Sequence, residues 1–329
     1  MFKFAHSLRK NWSVKHNLTF ECGYTNRTIG KWFERASLVE NSLWCEIDYS
    51  RWDSTVCKEM IQLGLEIFKS FGMPQFLQKA YLTMFSFKVT SRDGLSGTRA
   101  PCQKTGVPMT TVLNSMLNGM ITKFMLSKVG DYRAYPTMVR GDDMLTRAPL
   151  KMREIALKIA SGLGLKPKLK FGHPDYAVSF CSGAFWPTSE GCVFGPTLKA
   201  LFKVGYTTSP VPFTKWMQHA KGVALGLINQ TNHIPILGAY FRHLISLTSS
   251  VRDDKWTKRA LDQSRVKYVR ALRPYSRCTL SNSFLCQRYS LSSDDVEKCE
   301  RLVATATGCG FLVHPTLVRV ALNVFLVEA

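Results

Sequence analysis

The chain has 329 residues, 45% of them hydrophobic and 20% charged, so it holds a real apolar core and is not a disordered tail; its length suits one large or two to three small subdomains. Its 44 Lys+Arg against 23 Asp+Glu give a net charge of +21 at pH 7. That excess, spread along the chain, favours a nucleic-acid partner, whose phosphates reward clustered cations with counterion release, over mere solubility or an anionic membrane surface.

The ten cysteines fall at irregular spacing, with no C-x-x-C and no Cys/His cluster of zinc type. Several lie in apolar stretches, and buried free thiols in a reducing cytosol are expected. The N-terminus lacks the apolar core of a signal peptide. No run of roughly 18 uncharged apolar residues occurs. Phe311 to Val327 comes nearest, but Pro315, Arg319 and Asn323 interrupt it. It reads as a buried C-terminal helix, with a peripheral membrane contact left open.

Along the chain, Thr28 to Leu38 has Ile29, Trp32, Phe33 and Ala36 at helical spacing. Leu43 to Ile47 reads as a buried strand leading into Asp48-Tyr49-Ser50-Arg51-Trp52-Asp53. A helix is expected over 55–72, with Met60, Leu63, Ile67 and Phe71 inward, stopped by Gly72-Met73-Pro74. Another helix follows over Phe76 to Phe85, then a strand at Ser86 to Thr90 and a hairpin turn at Arg92-Asp93-Gly94. Ser96 to Gly106 reads as a loop. It feeds a helix from about Met109 to Val129 that packs Val112, Met116, Met120 and Phe124 inward.

Tyr135 to Val139 and Met144 to Thr146 are mostly apolar or β-favouring, and Arg140-Gly141-Asp142-Asp143 lies between them. The pattern is a hairpin with two carboxylates at its tip. Like charges repel there. A divalent cation such as Mg²⁺, which prefers hard oxygen ligands, removes the repulsion, while a solvated turn explains the same residues more plainly.

Leu150 to Leu163 is an amphipathic helix (Ile155, Ile159, Leu163) ended by Gly162 and Gly164. Leu165 to Gly172 reads as a basic, proline-braced turn, and Tyr176 to Trp186 and Cys192 to Phe194 as two strands. Beyond Gly195 helices dominate, among them Phe213 to Leu227 and Asp253 to Leu272. The latter sets Trp256, Ala260, Leu261, Tyr268, Val269 and Leu272 against the densest positive patch, which includes Lys258, Arg259, Arg265, Lys267 and Arg270.

Two further patterns accompany the acidic hairpin. Asp48-x₄-Asp53 follows a buried strand, where acids are common. Asp48 and Asp142 together suit two Mg²⁺ ions roughly 3.5–4 Å apart, the clamp of phosphoryl transfer. Thr105-Gly106-x₃-Thr110-x₃-Asn114 runs from a glycine loop into a helix and sets Asn114 one turn past Thr110. A capped helix start accounts for part of it.

In order, Asp48-x₄-Asp53, Thr105-Gly106-x₃-Thr110-x₃-Asn114 and Gly141-Asp142-Asp143 resemble motifs A, B and C of RNA-dependent RNA polymerases of positive-strand RNA viruses, with a noda- or tombus-like flavour. Leu165 to Gly172 resembles motif D, and Phe180-Cys181-Ser182, at the start of a strand, motif E. The resemblance covers residues 48–182 and does not extend to residues 1–30 or beyond about 195.

It implies an α+β right-hand fold. Residues 1–40 would belong to the fingers and 41–195 to an antiparallel-sheet palm with a fingers insertion at about 57–103. Residues 196–329 would form a mainly helical thumb whose basic helix, with Lys258, Arg259, Arg265 and Arg270, touches the product duplex. Asp48 and Asp142 would ligate two Mg²⁺ ions (Mn²⁺ can substitute), with Asp143 auxiliary. Asp53 and Asn114 would read the ribose 2′-hydroxyl, a task that suits hydrogen-bonding side chains. Thr105 would stand where the family has serine, Gly106 would mobilise the loop, and Thr110 would assist. Lys170, or else Lys168, would protonate the leaving pyrophosphate. Phe180, Cys181 and Ser182 would form a primer grip on RNA.

The implied partners are an RNA template, the product duplex and NTPs. The basic residues of motif F are not found, since Arg27, Lys31 and Arg35 lie too close to motif A. The expectation is therefore a C-terminal portion of a polymerase, completed by an upstream segment or by other replication proteins, acting in the host-cell cytoplasm at complexes that can be membrane-associated. A reverse transcriptase is disfavoured by Asp53 and Asn114, since those enzymes place a bulky gate near the position of Asp53. A non-catalytic RNA-binding scaffold shares the charge but needs no carboxylates. A metal-dependent nuclease has no use for the Thr110–Asn114 helix.

Overall fold

A computed structural model describes the chain except for residues 1, 84, 86, 100–101, 105, 107–108, 204–206, 208–209, 264–276, 306–313 and 329. The chain forms two compact units, residues 1–24 with 35–181, and residues 25–34 with 182–329.

The first unit carries strands β1 (Leu18–Phe20), β2 (Leu43–Tyr49), β3 (Phe87–Thr90), β4 (Ser96–Arg99), β5 (Thr137–Arg140), β6 (Asp143–Ala148), β7 (Pro167–Phe171) and β8 (Ser179–Phe180). Five of them form one sheet in the order β1-β5-β6-β2-β7, antiparallel except where β1 runs parallel to β5. The sheet is thus mixed rather than purely antiparallel. On the interior strand β2, between β6 and β7, Cys45, Ile47 and Tyr49 alternate into the core, as a two-residue period requires. Trp44, Glu46 and Asp48 take the other face. There the Trp44 indole donates to Asp175 (2.7 Å) and lies under the Arg147 guanidinium.

The sheet is backed by helices Lys58–Ser70, Gln75–Thr83, Thr110–Ser127 and Met152–Gly162. In Lys58–Ser70 the buried stripe is Met60, Ile61, Gly64, Leu65 and Phe68, whereas the expected Leu63 and Phe71 are exposed. The correction is one of phase. Residues 60/64/68 with 61/65 form the continuous i, i+4 stripe, and Gly64 lets it lie tight against Leu113 and the Tyr81 hydroxyl. Met120 and Phe124 of Thr110–Ser127 are likewise exposed, since Leu113, Leu117, Met125 and Leu126 take the core side with Val112 and Met116.

Two expected irregular stretches are strands. Ser96–Arg99 pairs with β3 as a hairpin around Arg92-Asp93-Gly94. The expected basic turn is β7, paired with β2 so that Asp48 faces Lys168 and Glu46 faces Lys170. Its alternation of Lys with Leu169 and Phe171 is the two-residue period of a half-buried strand. Pro167 is its first residue, where a missing N–H is tolerated.

The second unit holds the antiparallel hairpin β9 (Gly183–Thr188) and β10 (Gly191–Pro196). Against it lies the N-terminal part of helix Asn26–Ser37. Phe33 stacks on Phe185 at 4.0 Å between centroids, and Glu34 accepts from the Cys192 N–H at 2.7 Å. Helices then dominate: Trp216–Thr231, Leu237–Leu247, Lys255–Gln263, Thr279–Tyr289, Ser293–Ala304 and Pro315–Glu328. Gly222 lets the first of these cross Lys255–Gln263 closely, since a Cβ there would meet the Thr257 carbonyl and the Ala260 methyl.

The C-terminal helix is only half buried. Leu317, Val320 and Val324 face inward, while Leu322, Phe325 and Leu326 are exposed. Its last turn is anchored instead by Glu328, which accepts from Arg288 and from the Tyr289 hydroxyl (2.9 Å). No helix among the described residues is long and apolar enough to cross a membrane. The nine described cysteines are all free thiols, and Cys309 lies outside the described residues.

Candidate active site

The hairpin joining β5 to β6 turns on Gly141, whose φ of 64° is cheap only for glycine, and pairs Arg140 with Asp143 across the turn. Its main chain is held by the neighbouring helix Thr110–Ser127. Ser115 Oγ accepts from the Gly141 N–H at 2.7 Å. The Asn118 amide donates to the carbonyls of Gly141 (3.3 Å) and Asp142 (2.8 Å). The Thr122 hydroxyl donates in turn to Asn118 Oδ1. Asn118 and Ser115 are wholly buried, so each needs such partners to offset its desolvation.

Sequence reasoning missed both residues. The signal for Asn118 is a polar file, Asn114, Asn118 and Thr122, at four-residue spacing on a mostly apolar helix, while Ser115 lies outside that file.

Asp48 stands near the end of β2, about half exposed, with Lys168 Nζ at 3.6 Å from its carboxylate. Asp53 sits on the short helical turn Trp52–Thr55, reached through Arg51 in the left-handed conformation (φ 56°). Its carboxylate accepts from Asn114 Nδ2 at 2.9 Å.

The charges of these side chains reach one another. Burial raises the Asp142 carboxyl above its ordinary range, its own backbone N–H opposes that, and the charges of Asp48 and Asp53 add to the rise. Asp143 is pushed up to about 6, first by burial and then by Asp142, with the Cys181 thiol donating to it in opposition. Arg140 makes a 3.3 Å ion pair with buried Glu21. Burial pulls the Arg140 guanidinium down, but Glu21, Cys181 and Asp143 together hold it above its usual value.

The structure therefore gathers Asp48, Asp53, Asp142, Asp143, Asn114 and Lys168 in one region of the first unit. Thr110 lies on the same helix as Asn114. It does not cap that helix, because the capping position is Met109 and the Thr110 hydroxyl donates to the Lys104 carbonyl instead (3.0 Å). Lys170 lies two residues further along β7, facing Glu46, so of the two lysines Lys168 is the one beside Asp48. Gly106 has a φ of 84°.

Phe180 is the buried end of β8. Cys181 and Ser182 form a left-handed turn after it (φ 48° and 59°) rather than opening a strand. Lys258 and Arg259 lie on helix Lys255–Gln263, where Arg259 and Lys255 flank the Trp256 ring. Thr105, Arg265 and Arg270 lie outside the described residues.

Among the described residues no group of three His, Cys, Asp or Glu forms a ready-made metal cluster. The donor set nevertheless suits a hard divalent cation. It offers carboxylate oxygens, among them Asp142, raised first by burial and then by the charges of Asp48 and Asp53, and a cation relieves that repulsion.

An acid-tipped hairpin thus lies beside a strand-borne aspartate, with an amide–carboxylate pair next to it. The family model described as RNA dependent RNA polymerase matches residues 4–220, and the chain belongs to that family. Its fold is similar to the crystal structure of the RNA-dependent RNA polymerase of a human picorbirnavirus. The TM-score is 0.62 at 10% identity, over 80% of this chain and 57% of that one. It is also similar to an insertion-loop deletion mutant of a human picorbirnavirus polymerase, with a TM-score of 0.57 at 13% identity, over 78% of this chain and 51% of that one. This chain thus spans little more than half the length of either. No curated protein sequence matches it.

Proposed function

We propose that the chain carries out template-directed RNA synthesis for a viral genome, joining NTPs to an RNA 3′-hydroxyl with release of pyrophosphate. The observation that carries this reading is the Asn114–Asp53 hydrogen bond set beside the mutually repelling Asp142 and Asp48. A bare metal site would account for the carboxylates alone. A carboxylate and an amide locked together supply in addition the polar surface that a ribose hydroxyl needs.

Asp48 and Asp142 would hold Mg²⁺, with Asp143, tied to Cys181 and the Arg140 side, as an auxiliary. When bound, the ions would supply activation of the 3′-hydroxyl and neutralisation of the leaving pyrophosphate. Ser115 and Asn118 fix the hairpin so that Asp142 meets its partner without reorganisation. Asp53 and Asn114 would orient the incoming ribose, and Lys168, the lysine beside Asp48, would deliver a proton to the leaving group, with Lys170 the alternative. In this reading residues 41–195 act as palm, about 57–103 as a fingers insertion and 196–329 as thumb. Phe180, Cys181 and Ser182 would grip the primer, and Lys258 and Arg259 would lie along the product RNA.

A non-catalytic RNA-binding role is the second reading. It is favoured by the Lys168–Asp48 ion pair, which gives Asp48 a cationic partner without a metal ion. Incorporation of labelled NTPs and dNTPs on an RNA template with Mg²⁺, alongside RNA binding, separates the cases. Template-dependent NTP incorporation supports the polymerase, preference for dNTPs supports a reverse transcriptase, and RNA binding with no synthesis supports the scaffold.

A further inference from the structure

Gln103 lies just ahead of the Thr105-Gly106 loop, carries no motif signal in the sequence and is only 3% exposed. Its main-chain N–H donates to the Asp53 carbonyl at 2.9 Å. Its side-chain amide donates to Thr110 Oγ1 at 2.9 Å and to the Lys104 carbonyl at 3.3 Å. The orientation of that amide is fixed by chemistry, because Lys104 offers a carbonyl that can only accept.

Since Gln103 Nε2 already donates to Thr110 Oγ1, the Thr110 proton must point elsewhere, and it goes to the same Lys104 carbonyl (3.0 Å). What Thr110 has left is a lone pair. The rest of the network shows the same bias. Asp53 is an acceptor, and the amide oxygens of Gln103 and Asn114 are buried without a hydrogen-bond partner among the described residues. Buried unpaired acceptors are costly, and here two of them stand in one network with a carboxylate.

We infer that Gln103 is a positioning residue for sugar selection: it ties the Asp53 turn to the Thr110 helix and commits the Thr110 hydroxyl to face the nucleotide as an acceptor. The Thr110 lone pair and the half-buried Asp53 carboxylate then reward a sugar that brings hydroxyl donors, and a 2′-deoxyribose brings one fewer. A site built on buried hydrogen-bonding groups rejects an analogue lacking the matching group far more strongly than an apolar pocket does. This rests on the polymerase reading above.

The test is steady-state incorporation of NTP against dNTP by the full chain and by its Gln103→Met and Gln103→Glu variants, with thermal unfolding of each. Met keeps the length without donors. Glu can accept from Thr110 but cannot donate to Lys104. The expected result is a discrimination ratio lowered about tenfold in Gln103→Met, the worth of one hydrogen bond. The change should lie mainly in the KM for NTP, with kcat at saturating NTP within about threefold, and Gln103→Glu should fall between it and the parent.

An unchanged ratio in both variants, with the parent active, overturns the role of Gln103 and leaves the polymerase reading standing. A lowered kcat with an unchanged ratio also overturns it, since a merely structural residue would do that. A parent that makes no RNA while binding it overturns the polymerase reading itself, and this inference with it.

Discussion

Asn118 donates from its side-chain amide to the main-chain oxygen of Asp142 at 2.8 Å, across 24 residues of sequence. The bond fixes the tip of the acidic hairpin from a neighbouring helix rather than from within the hairpin. Replacing Asn118 by Leu removes the donor for both the Gly141 and Asp142 carbonyls and strands the Thr122 hydroxyl. The expected cost is about 2–4 kcal/mol in urea unfolding, with RNA synthesis down by at least about 100-fold. Ser115→Ala, which removes one bond from the same turn, should show the same signs at smaller size. If Asn118→Leu keeps parental activity, the hairpin does not depend on this anchor.

Asp143 carries a pH dependence whose sign is opposite to that of an ordinary salt-bridged carboxylate. Its folded-state pKa of about 6 stands above the usual value, so the folded protein holds the proton more tightly than the unfolded chain. Its contribution to stability is therefore most favourable below the unfolded pKa and is lost as pH rises through about 6. Asp143→Asn mimics the protonated form. In metal-free protein it should stabilise by about 1–2 kcal/mol at pH 8 and by almost nothing at pH 4. Chemical denaturation at the two pH values reads this directly, and a variant equally destabilised at both contradicts it. Mg²⁺ should raise the thermal stability of the parent at pH 8 more than at pH 5, because the ion competes with the proton for the same carboxylates.

Lys168 stands between two roles, since the ammonium that could protonate a leaving pyrophosphate is also the present partner of Asp48. Lys168→Met should lower the rate at saturating Mg²⁺ by about 10- to 100-fold, the usual size of a general-acid contribution. The same change frees Asp48, so half-saturation should come at lower Mg²⁺. Lys170→Met, which faces Glu46, should do neither to the same extent. A Mg²⁺ titration of all three proteins decides between the lysines, and the larger rate loss in Lys170→Met would reverse the assignment.

The sequence shows the strand Leu43–Tyr49, the acidic hairpin and the helix after Thr110 because each has a strong local signal: a β-branched and aromatic run, a glycine-acid turn, or helical spacing behind a glycine loop. Helix faces are harder to read. In Lys58–Ser70 two apolar stripes compete, and only packing against Leu113 and Tyr81 selects the one through Gly64. Strand β7 hides behind Pro167 and its lysines, and its pairing with β2 is a long-range choice that no local pattern encodes. At the site, Asp48, Asp53, Asn114 and Asp142 stand out by their patterns, and the resemblance those patterns carry supplies their expected roles. Ser115 and Gln103 do not, and the polar file marks Asn118 without revealing its role, because these roles are bonds to main-chain groups or to a hydroxyl brought close only by the fold. The C-terminal helix reads as buried from its composition, which does not distinguish the side carrying Val320 from the side carrying Leu326.

The central claim is that Asp142 is a catalytic carboxylate and not an acid in a turn. The most direct measurement is Mg²⁺-dependent NTP incorporation on an RNA template by the parent and by Asp142→Asn, with RNA affinity and thermal stability measured on both. The account predicts synthesis by the parent and a loss of at least about 1,000-fold in Asp142→Asn, with RNA affinity unchanged and stability equal or slightly higher. Synthesis within a few-fold of the parent in Asp142→Asn would contradict it.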